Sequence, residues 1–241
     1  MLRQGRFTCT DGRVLDAEGN PVPLHEDILF EGGPLDPPQG SVIMLNKPTG
    51  YVCSTSDRTP LVYDLLPGRF LRRSPVVASV GRLDADSSGL LLLTDNGALS
   101  HRLTSPRWHL PKTYRVRFAE PLGTEATAQL TNGTMLLRGE TKPLRPAKLE
   151  PVDQTTVNLT IAEGRYHQIR RMFGSIGNRV LELERVSFGP LALNGLPGGS
   201  WRVLSEVEVD MLTATPARKQ SREERTPVEQ TDWKMNRQLQ R

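Results

Sequence analysis

Cysteine is nearly missing from this 241-residue chain: Cys9 and Cys53 are its two cysteines, with no Cys-x-x-C pair and no His/Cys cluster at metal-ligand spacing. This argues against a disulfide framework and a structural zinc site, and it fits a reducing cytoplasm. Long apolar runs are missing as well. The longest aliphatic run, Leu90 to Leu93, is far too short to cross a bilayer, and Met1-Leu-Arg-Gln-Gly-Arg has none of the apolar character of a signal peptide. Neither export nor membrane insertion is expected. No internal repeat and no steady βαβα rhythm is present, which disfavours solenoids and doubly wound parallel sheets.

What the chain has is an ordinary globular balance, 37% hydrophobic and 24% charged residues, at a length that can bury a core unaided. Its net charge of +4 suits a protein that meets a polyanion, although basic proteins of other kinds share that property.

Residues 1 to about 40 read as a turn-rich β segment with short strands at Arg13-Val-Leu and Ile28-Leu-Phe, too small for a core of its own. Pro34-Leu-Asp-Pro-Pro-Gln-Gly40 reads as a linker into the strand Ser41-Val-Ile-Met-Leu-Asn46. From 41 to 213, β-type runs such as Val157 to Ile161 and Arg179 to Val186 mix with a few helices, so an α+β domain with a mainly antiparallel mixed sheet is expected. Ser205 followed by Glu208 forms the capping-box pattern of a closing helix. Residues 214–241 are polar and charged with few apolar anchors, the composition of a disordered basic tail.

Three segments concentrate the polar chemistry. In Gly81-Arg-Leu-Asp84-Ala-Asp86-Ser-Ser-Gly-Leu-Leu-Leu-Leu a loop with two carboxylates runs directly into an apolar strand, the setting in which a rigid element presents reactive groups. Ordinary turn carboxylates, or a metal-binding Asp-x-Asp pair lacking its third ligand, fit the same spacing. Downstream, Asp95 or Asn96 can cap a helix that turns Leu99 and Leu103 to the core and His101 and Arg102 to solvent, followed by Arg107 and Trp108. Lys112-Thr-Tyr114-Arg-Val-Arg-Phe118 alternates as a strand with Lys112 and Tyr114 on one face. Finally, in Gly164-Arg165-Tyr-His167-Gln-Ile-Arg170-Arg171-Met the positions Ile169, Met172, Phe173 and Ile176 mark a core-facing helical stripe. His167, Arg170 and Arg171 lie away from it, as an anion-holding or simply solvated face.

Taken in this order, Gly81-Arg-Leu-Asp84 with Ser88-Gly-Leu-Leu, Lys112-Thr-Tyr114, and Gly164-Arg-Tyr-His-Gln-Ile-Arg170-Arg-Met resemble the pseudouridine synthases. The opening Leu45-Asn-Lys-Pro-Thr-Gly-Tyr is similar to the branch that modifies small-subunit ribosomal RNA, the 16S uridine-516-type branch, and the similarity spans about residues 41 to 213. The resemblance implies a cofactor-free and metal-free isomerase in which Asp84 is the catalytic carboxylate, Tyr114 stacks on the target base and Arg170 pairs with Asp84. Arg82, Arg102, Arg107, Lys112, Arg165, His167 and Arg171 are the basic groups placed to hold RNA. The implied partner is ribosomal RNA or a pre-ribosomal particle, met by a cytoplasmic monomer. Residues 1–40 are similar to only the last strands of that branch's small RNA-binding domain, which implies either a shortened form or a start further upstream. The same chemistry on large-subunit 23S RNA, a non-catalytic RNA-binding assembly factor and a hydrolase using the Asp84/Asp86 pair are the alternatives.

Overall fold

The computed structural model describes residues 6–15, 23–55, 59–105, 108 and 110–214. Two sheets are formed among them. The first is a small antiparallel one of β1 (Phe7–Cys9), β2 (Ile28–Phe30) and β3 (Gly33–Pro34). Here β2 is where the sequence puts it, whereas Arg13 to Leu15 makes only an isolated bridge, Val14 to Thr8, and the pairing strand is the more apolar Phe7–Cys9.

Against the larger sheet, the linker is held by polar contacts. Asp36 takes Arg69 at 2.6 Å, Pro37 O accepts from Arg73, and the backbone N–H of Gly40 donates to the buried Asp95 carboxylate at 2.7 Å. Arg73 also reaches Asp95, at 3.4 Å.

The larger sheet is built from β4 (Val42–Lys47), β5 (Ala78–Ser79), β6 (Ser88–Thr94), β7 (Lys112–Phe118), β8 (Lys148–Pro151), β9 (Thr156–Ile161), β10 (Val180–Phe188), β11 (Leu191–Ala192) and β12 (Trp201–Val203). Its order is β12-β4-β6-β10-β7-β9-β8, with β5 on β6 and β11 on β10. Every pair is antiparallel except β6 with β10, so the expected α+β class with a mainly antiparallel mixed sheet holds.

Among the described residues four α-helices cover the sheet: α1 (Gly97–Thr104), α2 (Thr124–Thr131), α3 (Gln168–Ser175) and α4 (Glu206–Thr213). Strands β4 and β6 bury both faces. Ile43, Leu45, Leu91 and Leu93 join a core with Val116, Phe118, Ile169 and Phe173, while Val42, Met44, Leu90 and Leu92 join a second with Leu99, Leu103, Phe188 and Leu212. This explains a strand that reads Leu90 to Leu93 without a polar break: alternate residues face opposite sides and neither side is wet.

Local chemistry sets the helix starts. Asn96 Oδ1 accepts from Leu99 N at 3.0 Å, as its cap position requires, and α3 buries Ile169, Met172 and Phe173 on the expected stripe. Where β6 meets β10, Gly89 has φ 103° and a Cβ there would lie 2.3 Å from Arg185 O. No other residue lets the two backbones approach so closely.

The capping box of α4 is present, and Arg202 of β12 adds a fork onto Glu208 at 2.6 and 2.8 Å. Hydrogen bonding from Arg202 holds the Glu208 carboxyl down at about 2. Because the folded protein binds this proton more weakly than the unfolded chain, the stabilisation is complete above the ordinary value of 4.5 and is lost as pH falls toward about 2. Glu208→Gln is expected to lose about 1–2 kcal/mol at neutral pH, with the gap to wild type closing across that acid window in urea titrations at stepped pH.

Candidate active site

Asp84 sits on the loop between β5 and β6, half exposed, and the loop is shaped from beneath. Lys47, the last residue of β4, is fully buried, and its ammonium donates to Ser87 O at 2.7 Å, Pro48 O at 3.0 Å and Ala85 O at 3.4 Å. Gly50 N adds a bond to Ala85 O at 2.7 Å, and Ser87 N closes the turn onto Asp84 O at 3.1 Å. Burial pushes the Lys47 ammonium down, opposed by the negative charge available at Cys53, Asp86 and Asp84. The loop's carbonyls therefore converge on one cation, which leaves the Asp84 side chain free to face outward.

The group that meets Asp84 is His167, whose Nε2 lies 3.2 Å from Oδ1. His167 stands at the N-cap of α3 with φ 45° and ψ 37°, a left-handed conformation uncommon outside glycine. Tyr166 stacks on its ring at a centroid distance of 3.9 Å and is itself largely exposed. The expected Asp84–Arg170 pair is not formed. Arg170 instead binds Asp86 through Oδ2 at 2.8 Å and its backbone O at 3.3 Å, with Nη1 near Val180 O at 3.5 Å. Two residues along the same turn, Asp86 points its carboxylate toward α3, and the long arginine reaches it ahead of Asp84.

Tyr114 is buried at 9% exposure and lines two adjoining cavities. One, of about 110 Å³, also contains Asp84, His167 and Arg170, so the three catalytic candidates do converge. The other, of about 400 Å³, contains Lys112, Arg145 and Arg185; Arg82 and Arg165 border both.

The remaining basic candidates divide. Arg82 is exposed at the mouth of both cavities. Arg165 and Arg171 are committed internally: Arg165 holds Glu163, Glu140, Lys142 O and Pro143 O, and Arg171 holds Glu140, Tyr166 O and Arg138 O. Together they clamp the 138–143 segment against α3. Arg102, expected in solvent, donates to Thr213 O at 2.5 Å and lies 4.1 Å over the Trp108 ring, joining α1 to the end of α4. Arg107 and the 215–241 tail lie outside the described residues.

Sequence reasoning assigned no role to Lys47 or Arg185. Lys47 carries a signal, a single cation closing a strand of mostly buried residues, Val42 to Lys47, whereas Arg185 carries none, because its strand also holds Glu182 and Glu184 among exposed and half-buried positions.

A model of the RNA pseudouridylate synthase family matches residues 41–175. Among curated proteins, the chain is 42% identical over 205 residues to the ribosomal small subunit pseudouridine synthase A of Haemophilus influenzae, spanning 84% of this chain and 87% of that one. The protein of the same name from Escherichia coli strain K12 is 42% identical over 214 residues, spanning 86% and 89%. A crystal structure described as a pseudouridylate synthase superposes with a TM-score of 0.68 at 40% identity, covering 88% of this chain and 90% of that one.

Replacing Lys47 with Met takes the ammonium donor from Ser87 O and Pro48 O, while Ala85 O keeps its bond from Gly50 N. The variant is expected to lose about 2–3 kcal/mol in urea denaturation, with hydrogen exchange accelerating at the amides of residues 84–88.

Proposed function

The chain belongs to the RNA pseudouridylate synthase family, and from that premise we propose that it isomerises one uridine of small-subunit 16S ribosomal RNA to pseudouridine, with Asp84 as the catalytic carboxylate. The observation that carries this reading is the convergence of Asp84, Tyr114, His167 and Arg170 on one small cavity at the end of an immobilised loop. The two relatives named above carry the ribosomal small subunit in their names and match the chain along most of its length.

The reaction breaks the N1–C1′ bond of uridine, turns the uracil and forms C5–C1′; a proton leaves C5 and one is taken up at N1, so nothing is added. A target base has to leave its stack to reach a cavity of this kind, and Tyr114 offers a ring in place of the lost neighbours. Asp84 then acts at the ribose. As a nucleophile, its carboxylate bonds C1′ while uracil departs with the N1 electron pair, and the ester bond breaks when C5 attacks C1′; as a base, it removes and later returns the C2′ proton. His167 orients the carboxylate, and Arg170, anchored on Asp86, brings its positive charge to the same turn.

On this reading residues 41–213 are the catalytic domain. The β1–β3 sheet within residues 1–40 belongs to an RNA-binding unit, and the basic 214–241 tail adds loose contacts. The working form is a cytoplasmic monomer that meets ribosomal RNA or a pre-ribosomal particle through basic groups such as Arg82; no helix among the described residues is long and apolar enough to cross a membrane.

Tritium release from small-subunit RNA labelled at uridine C5 tests the assignment. Asp84→Asn is expected to lower the rate more than about a thousandfold. Tyr114→Ala should cost roughly 1–3 kcal/mol in kcat/KM, the worth of base–aromatic stacking, and Tyr114→Phe should keep most of it. Undiminished release by Asp84→Asn would remove the carboxylate from the mechanism.

A further inference from the structure

The 400 Å³ cavity beside the Asp84 site is left unassigned by this chemistry, and its electrostatics are unusual. On its wall, Lys112 of β7 is Cα-paired with Phe188 of β10, and Tyr114 with Arg185. Lys112 Nζ donates to Leu110 O at 3.2 Å and sits 5.2 Å over the Phe188 ring. Arg185, 2% exposed, donates through Nε to Leu90 O at 2.7 Å and lies 5.3 Å over the same ring, while its buried Nη2 has no hydrogen-bond partner. Among the described residues, no carboxylate forms an ion pair with either cation.

A buried and a half-buried cation against one aromatic ring, without a counter-charge, are costly to hold. Burial first, and the neighbouring Arg185 second, bring the Lys112 ammonium down to about 8. The rest of the wall does not supply the missing charge. Arg82 and Arg145 add more positive charge, and the one carboxylate there, Glu163, is taken by the Arg165 side chain at 3.2 Å and the Arg145 N–H at 2.8 Å. The space itself falls within the roughly 300–1,000 Å³ of pockets that enclose a ligand, and Leu103, Leu110 and Phe188 give it an apolar floor.

We propose that this cavity is a second nucleotide subsite, in which Lys112 and Arg185 bind a phosphodiester of the RNA strand next to the target uridine. The assignment rests on the reading of the Asp84 cavity as the target site: the two cavities share Tyr114, Arg82 and Gly164, so a strand with one nucleotide in the first passes directly into the second. A phosphate supplies the counter-charge that the wall lacks, and its approach stabilises the protonated form of Lys112.

The test is the salt dependence of binding to a small-subunit ribosomal RNA transcript, read between about 50 and 200 mM salt. Lys112→Met removes a half-buried charge that has no ion-pair partner and so is expected to fold at least as stably as wild type, and it should reduce the slope of log K against log salt by about 1. Arg185→Met should do the same if it remains folded by circular dichroism. A Lys112→Met slope equal to the wild-type slope overturns the subsite, whether or not affinity falls, because it leaves the lysine with a neutral or structural role. Tritium release is scored separately with Asp84→Asn: persistent activity there would mark failure of the catalytic reading, whereas an unchanged slope beside a dead Asp84→Asn marks failure of the subsite alone.

Discussion

Everything about the site depends on one buried ammonium. Lys47 is taken wholly out of water and compensated by backbone carbonyls rather than by a carboxylate. A carboxylate partner would fix a single point; three carbonyls from two loops fix a shape. The arrangement also directs the acids. The charges of Asp86 and Asp84 oppose the downward push of burial on the ammonium, yet neither is its hydrogen-bond partner, so both side chains remain available to groups on α3.

The second constraint is the contact between β6 and β10. Gly89 and Arg185 approach so closely that their backbones are effectively one layer, and this is where the sheet's parallel pair begins. The strand that leads out of the Asp84 loop is thereby locked to the strand that carries Arg185. The two cavities are built on the same joint, with Tyr114 of β7 bordering both.

Much of this was legible in the residues and some was not, for reasons that differ. The caps at Asn96 and Ser205 and the stripe of α3 were readable because they are set by neighbours three or four positions away. The alternation of β7 was readable for the same kind of reason. The fates of the arginines were not. Arg165 and Arg171 read in sequence as groups to hold RNA, but their partner Glu140 is 25 and 31 positions distant, and only the folded chain brings it to them. Arg170 shows a finer limit. A motif puts an arginine beside a two-carboxylate turn without saying which carboxylate it takes, since two residues along a turn decide the matter. Lys47 ends a mostly apolar strand, and a charge in such a place reads as an exposed edge until both faces are seen to be covered; Arg185 follows Glu182 and Glu184, so it reads as one more residue of a solvated charged face.

His167 holds its ring against Asp84 only by adopting a left-handed backbone, a conformation that costs a residue with a Cβ about 1 kcal/mol. The fold thus keeps a locally unfavourable residue where glycine or asparagine would be comfortable. A laboratory selection for heat tolerance alone would be drawn to this position early and would gain stability from replacing the histidine. Thermal robustness and an oriented carboxylate are therefore opposed at a single residue, and a thermostable descendant that retains His167 will have found its extra stability elsewhere.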